Sequence, residues 1–520
     1  MTSLSTQILV IGGGATGLGI AWEASLRGLK VVLIEKGDIG QGTTGRYHGI
    51  LHSGGRYVIS DPKSAKECAS ENVLLRKIIP HAIEDTGGLF VATPSDPIEY
   101  PDEWFSACQN LSLPVEEIPP KHARKIEPEI NPRISRAFRV NDATLDSFDL
   151  THSLVNSIIS AGGQVWLHHK LVSLKLRKGR VHTAEILDLE SGETILVGAN
   201  VVVNATGPYA EKIAHMAGIQ LPIALGKGTM VAMGIRHVNT VINRCKRPGD
   251  GDILVPVGTV EILGTTDVTV EEPDDLTIHP WEIDLLIAEG EILVPGLSQV
   301  RPLRTWAGIR PLYRSSKDEE ATRGITRSHV IINHETRDGI GGFLSVFGGK
   351  LTTFRIMAVE TVDLISELLD VGTKSVSDCA FLEPTENQHY TSLVDRLNAL
   401  EQPSRRVPGK QILCECELVS YADVENSLTS GSRLELDDVR RDLRLGMGPC
   451  QGGFCGYRAA GMATELFDDA PPDGGLIDFV NERWKGIRPL AWHHNMRQLE
   501  FTRRLYLDVL AVDNLEHDIK

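Results

Sequence analysis

Two groups of residues in this chain have the types and spacing to do chemistry. The first is Gly12-Gly13-Gly14-Ala15-Thr16-Gly17, a G-x-G-x-x-G run directly after the apolar stretch Ile8–Ile11. Such glycines make a tight turn, let backbone approach a pyrophosphate, and let the following helix pack closely on the strand. The helix N-terminus adds N–H groups and the positive end of a dipole. Lys30–Ile34 reads as the next strand, and Glu35 closes it, where a carboxylate accepts hydrogen bonds from ribose hydroxyls. Flavin and nicotinamide dinucleotides share this fingerprint. The second group is Cys414-Glu415-Cys416 with Cys450-Gln451-Gly452-Gly453-Phe454-Cys455. Four thiolates hold zinc or an iron–sulfur cluster. A C-x-C pair is the less usual spacing for structural zinc.

The elements that position these groups follow from the pattern. Ala15–Arg27 carries helix formers, with Leu18, Ala21 and Trp22 at helical spacing and Gly28 as the stop. Residues 38–60 read as a glycine-rich functional loop, and 65–85 as a helix. Asn200–Asn204 is a buried-strand run that leads into Ala205-Thr206-Gly207-Pro208. Between 220 and 335, β-like runs surround a helix near 280–293. Phe343–Phe347 reads as a strand, Gly348-Gly349-Lys350 as a turn, and Thr352–Leu369 as an apolar-periodic helix. The expected domains are 1–372, with a linker at 373–410 that holds one helix, a cysteine module at 411–465, and a helical tail at 466–520.

Composition bounds the function. The chain has 520 residues, enough for several domains, and its 53 Lys plus Arg against 69 Asp plus Glu give a net charge of −16. That argues against a nucleic-acid binder, which needs a basic face, and leaves room for a local basic pocket for an anionic small molecule. A hydrophobic fraction of 41% and a charged fraction of 23% fit a soluble globular protein. No apolar run reaches the ~18 residues of a bilayer span, and the N-terminus does not read as a signal peptide. Eight cysteines without a secretion signal point to a reducing compartment.

Later segments select flavin. Gly42-Thr43-Thr44-Gly45-Arg46, His48-Gly49 and Leu51-His52-Ser53-Gly54-Gly55-Arg56-Tyr57 resemble the flavin-facing loop of FAD-dependent glycerol-3-phosphate dehydrogenases. So do Val203–Pro208, Leu263–Asp267, Ala307–Leu312 and Gly348–Arg355, in the family's order over residues 7–365. The resemblance implies an α/β fold of D-amino-acid-oxidase type, with a Rossmann-like FAD domain interleaved with a β-rich substrate domain. It implies FAD contacts from Gly12, Gly14, Gly17, Glu35, Thr43, Thr44, His52, Ala205, Thr206, Gly207, Gly348, Gly349, Lys350, Leu351 and Thr352. It places Arg56, Arg310, Arg327 and Lys350 on a phosphate-bearing substrate, and His52, Arg310 and Lys350 in catalysis. A phosphate dianion needs several fixed cations, whereas a carboxylate needs one arginine. One departure is plain: the aerobic branch carries a histidine after its Lys-Gly-Ser motif, and here Lys227-Gly228-Thr229 is followed by Met230. His52, Lys350 or a bound water then stands in as base.

The cysteine order, with Gly446-Met447-Gly448-Pro449 before Cys450, resembles the small helical [2Fe–2S] domain of the bacterioferritin-associated-ferredoxin type. The tail Asn481–Pro489 resembles the end of the catalytic chain in the anaerobic branch of the same dehydrogenase family. The joint implication is oxidation of sn-glycerol 3-phosphate to dihydroxyacetone phosphate. Electrons would pass by a [2Fe–2S] cluster to electron-transfer or membrane-anchor subunits and then a quinone. The chain would sit in a hetero-complex or oligomer, cytoplasmic and peripheral at the inner membrane. The competing readings are an amine or amino-acid dehydrogenase and a non-catalytic electron-transfer subunit.

Overall fold

The computed structural model describes residues 2–314, 322, 325–384, 398, 411–430, 435–468, 470–471, 473–492, 495–509 and 511. Its first sheet is built on β1 (Thr2–Ile11), which lies parallel between β2 (Val31–Ile34) and the long strand Thr194–Asn204. Ile8 pairs with both Val31 and Val201. Gln164–Trp166 extends one edge, Arg180–Asp188 and His169–Arg177 the other, and Phe343–Gly348 also pairs with Thr194–Asn204. Ile8 and Val10 enter one apolar core, Leu9 and Ile11 another on the opposite face. Burial on both faces is why the strand is a continuous apolar run rather than an alternating one.

Helix α1 (Ala15–Leu26) lies between helices Ser147–Ser160 and Phe354–Leu368. Leu18, Ile20, Ala21 and Trp22 are all fully buried, so α1 is apolar nearly all round, and the Trp22 indole N–H donates to Ser157 Oγ at 2.9 Å. The helix expected at 65–85 instead spans Pro62–Ile78, capped by Asp61. Pro80 lacks the N–H to continue it, and Ile83–Glu84 is a short strand.

The second sheet has nine strands. Its spine is an antiparallel ribbon of Ile223–Met233 with Pro302–Tyr313, in register Gly226 to Arg310 and Gly228 to Gly308. Helix Pro280–Leu293, where the sequence places one, packs on this sheet through Ile283, Leu286 and Leu293. The FAD-type sheet and this β-rich sheet are interleaved in the chain.

Residues 373–384 contain no helix, and the rest of the expected linker helix lies outside the described residues apart from position 398. Beyond it, one apolar core joins Leu413 and Cys414 to Phe479, Ile487 and Tyr506. No break in that core marks the expected boundary after residue 465. The module docks on the first domain through buried charge. Arg441 Nε meets Asp38 Oδ2 at 2.6 Å, Arg444 Nη1 meets Asp146 Oδ2 at 2.7 Å, and His152 Nε2 meets Asp442 Oδ1 at 2.8 Å. Arg441 also serves Asp437 and Asp438. Burial first, then the neighbouring Asp38, pushes the Asp438 carboxyl up to about 7. Among the described residues no helix is long and apolar enough to cross a membrane.

Arg441 therefore contacts three carboxylates at once, and Asp38 has no other ion-pair partner among the described residues. Arg441→Ala is expected to lower unfolding free energy by about 3–5 kcal/mol, the cost of stranding buried charge. Urea denaturation of the full chain measures it, and a loss below about 1 kcal/mol would show that the contact is solvated.

Candidate active site

A cavity of about 1110 Å³ runs between the two sheets. At one end lies the glycine turn. Gly12 has φ +113°, and a Cβ there would sit 2.6 Å from the Ala205 carbonyl oxygen. Gly17 does not line the cavity; a Cβ on it would lie 1.9 Å from the Gly12 carbonyl, so its part is to let α1 close on the turn. The Glu35 carboxylate accepts from the Gly13 N–H at 2.7 Å and the Gly37 N–H at 3.0 Å. Thr44 Oγ1 accepts from the Ala15 N–H at 3.0 Å, and Thr43 Oγ1 donates to the Ile309 carbonyl at 2.6 Å. Ala205, Thr206 and Gly207 close this end from the neighbouring strand, and Gly14 lies beside them.

Cations gather along the other part of the same cavity. Arg310 lies across Gly228, whose absent Cβ would be 2.2 Å from its Nη2. Its Nη1 pairs with Asp267 Oδ1 at 2.7 Å, and its Nη2 donates to Thr265 Oγ1 at 2.7 Å and the Thr266 carbonyl at 2.9 Å. Arg327 Nη2 reaches Asp267 Oδ2 at 3.4 Å, and its buried Nη1 has no partner among the described residues. Arg56 Nη2 pairs with Asp252 Oδ1 at 2.7 Å. Lys350 Nζ donates to the Arg327 carbonyl at 3.1 Å and lies 4.6 Å from the Tyr57 ring centre. Burial, and next Arg327, pull the Arg310 guanidinium down to about 10. Among the described residues only Asp252 and Asp267 are in ion-pair contact with these four cations. Gly348, Gly349, Leu351 and Thr352 form the adjoining wall, and a Cβ on Gly349, at φ +70°, would be 2.5 Å from Met357 Sδ.

The profile of the family described as FAD dependent oxidoreductase matches residues 7–355. The chain is 36% identical to one of the subunits of the anaerobic glycerol-3-phosphate dehydrogenase of Escherichia coli (strain K12), over 99% of each chain. It is 38% identical to one of the subunits of the same-named enzyme of Haloferax volcanii, covering 98% of this chain and 91% of that one.

The chain belongs to the FAD-dependent oxidoreductase family.

A solved structure titled glycerol-3-phosphate dehydrogenase from Bacillus halodurans complexed with FAD shares the fold at TM-score 0.60 and 20% identity, over 96% of this chain and 95% of that one. The D-amino-acid-oxidase-type architecture that the motifs imply is the one observed.

Where the aerobic branch of this family has a histidine, Met230 is buried and lines the cavity. Beneath it, Glu282 takes hydrogen bonds from Lys227, Thr229 and Thr266 and so fixes the loop that orients Arg310. Two imidazoles face the cavity instead. His48 and His52 rings meet edge-on at 5.4 Å, and His52 meets Tyr57 at 5.3 Å. The His52 N–H of the backbone donates to Thr352 Oγ1 at 3.1 Å. Nδ1 of His48 accepts from the Ile50 N–H at 3.2 Å, so its neutral ring carries the proton on Nε2. Burial, then Arg56 and Arg310, pulls His48 down to about 3. Burial, then His48, Arg56 and Lys350, holds His52 well below the usual histidine range. The sequence motifs contain His48, Tyr57 and Asp267 without giving them a role, and they leave out Asp252 and Glu282. The importance of all five comes from partners that the fold brings to them.

The four grouped thiols also come together. Cys455 hydrogen-bonds Cys414 and Cys450, and Cys450 bonds Cys416. Backbone N–H groups of Glu417 and Gly446 point at Cys414, that of Cys450 at Cys416, and those of Gly452 and Gly453 at Cys450. Among the described residues, no three His, Cys, Asp or Glu side chains are arranged around a single metal ion.

The neutral histidines set a pH dependence of stability. The unfolded chain takes up a proton near 6.5 that folded His48 refuses until about 3. Stability from this group is present above pH 6.5 and is lost as pH falls below it. His48→Gln is expected to flatten the acid limb by about 1.4 kcal/mol per pH unit between pH 6 and 4. Urea unfolding across that range measures it, and an unchanged slope would show His48 already charged.

Proposed function

We propose that this chain oxidises sn-glycerol 3-phosphate to dihydroxyacetone phosphate. The carrying observation is the convergence of Arg56, Arg310, Arg327 and Lys350 in the cavity that also holds the glycine turn. The full-length relatives named for this activity support the reading. Gly12, Gly14, Glu35, Thr43, Thr44, Ala205–Gly207 and Gly348–Thr352 are the proposed FAD contacts. The fit rests on these residues lining one cavity of about 1110 Å³, into which the glycines at 12, 14, 348 and 349 present backbone without a side chain. When bound, FAD supplies the two-electron acceptor.

The remaining work belongs to the chain. Four cations against two paired carboxylates leave positive charge for a phosphate dianion, and the unpartnered Arg327 Nη1 is a free donor for it among the described residues. Asp267 holds Arg310 and Arg327 in one orientation, so substrate binds with little reorganisation. His52 is neutral and takes the hydroxyl proton at a ring nitrogen. Its neighbours Arg56 and Lys350 make the resulting imidazolium short-lived. His48 acts as a fixed donor through Nε2.

Cys414, Cys416, Cys450 and Cys455 are the proposed ligands of a [2Fe–2S] cluster, with the five aimed N–H groups tuning its sulfurs. Bound there, it is a one-electron carrier. Partner subunits and a quinone, at the cytoplasmic face of the inner membrane, are the proposed onward acceptors.

The deciding experiment adds sn-glycerol 3-phosphate to the purified chain without oxygen. Prompt bleaching of flavin and iron–sulfur absorption is expected. No bleaching in a sample that dithionite reduces would return the choice to an amine dehydrogenase or a non-catalytic electron-transfer chain. Arg310→Ala is expected to raise KM about 100-fold, equal to about 2.7 kcal/mol of charge-assisted hydrogen bonding; unchanged kinetics would refute its role. Cys450→Ser is expected to lose iron and sulfide while substrate still bleaches the flavin. Zinc without sulfide in the unaltered chain would remove the cluster from the proposal.

A further inference from the structure

A second cavity, of about 850 Å³, lies on the far side of the flavin-facing loop. Gly40, Gln41, Arg46 and Tyr47 line both cavities. The other walls come from strand Pro302–Tyr313 and from the module helices Leu436–Leu443 and Leu476–Ile487. Two guanidinium groups are built into these walls. Arg483 is only 1% exposed, and its Nη2 donates to Gln451 Oε1 at 2.5 Å. Its Nε and Nη1 have no partner among the described residues, and neither has Nε of Arg304. Arg304 packs on Gly486, where a Cβ would lie 3.0 Å from its Nε and Nη2. Arg440, Arg441 and Arg444 in the same walls are already paired, with Asp437, Asp38 and Asp146.

Burial destabilises the charge on Arg304 and Arg483, with repulsion from Arg483 and Arg440 added at Arg304 and from Arg440 at Arg483. The carboxylate that offsets both, Asp437, is shared with Arg440 and Arg441; cations so thinly compensated are costly, and three orphaned N–H groups add to that cost. Trp306, Phe148 and Trp484 supply apolar surface beside them. We propose that this second cavity binds a phosphate monoester with an apolar body, its phosphate held by Arg304 and Arg483. Two guanidinium forks match the several oxygens of a dianion better than a carboxylate. Arg483 also holds Gln451, the neighbour of Cys450, so occupancy of the cavity bears directly on the cysteine loop. The proposal is independent of what the first cavity oxidises.

The probe is phenyl phosphate, titrated calorimetrically into the full flavin-loaded chain. Arg310→Gln with Arg327→Gln removes the first cavity's share, and one binding event is expected to remain. Adding Arg304→Met or Arg483→Met is expected to weaken it at least tenfold. Absence of that remaining event, or its persistence at equal affinity in both Met variants, overturns the proposal. Thermal unfolding guards against misfolding. The Met variants should unfold at the same or a higher temperature without ligand, and should lose the rise that phenyl phosphate gives the parent. A lower ligand-free temperature with the phosphate-induced rise intact would mark the arginines as structural and overturn the site.

Discussion

The absence of a side chain at Gly308 governs how this molecule is put together. A Cβ there would lie 2.5 Å from the Arg46 carbonyl oxygen and 3.2 Å from its Cβ. The loop 42–46 crosses the strand Pro302–Tyr313 at that gap, and Thr43 fastens it to the Ile309 carbonyl one residue on. The crossing divides the interior. Arg310, on one side of it, serves the cavity with the glycine turn, while Arg304 and Trp306, on the other, serve the cavity against the cysteine module. Strand alternation sends residues 304, 306, 308 and 310 to one face, so a single strand equips both compartments.

The same cations have two effects in the first cavity. They gather positive charge in one place, and they add to burial in keeping His48 and His52 uncharged. A chain with net charge −16 thus concentrates four cations in one cavity. Bulk charge and site charge are separate quantities here.

Much of this is readable from the sequence because its causes are local. The turn at Gly12, the strand β1 and the helix at 280–293 follow from glycine geometry and apolar period over a few residues. The helical pattern that starts near Pro62 runs on past its true end, although Pro80 is there to stop it. The site's carboxylates are hidden for a different reason. Asp267 matters because strand register carries Arg310 to it, and Glu282 because a distant helix lies under Thr229 and Thr266. The tail reads as separate from the cysteine module because no composition shift shows that Phe479 packs with Cys414 and Cys455.

The docking contacts carry both signs on both sides. Asp38, Asp146 and His152 belong to the first domain, Arg441, Arg444 and Asp442 to the module. If the gene were divided within the segment 385–410, Arg441 would keep Asp437 and Asp438, and Arg444 would keep Glu417, while Asp38 and Asp146 would lose their arginines. The mixed signs would favour one orientation of re-docking, a preference that fades with ionic strength. The covalent connection would then be a convenience of synthesis, and a two-gene version of the same enzyme would be a natural arrangement.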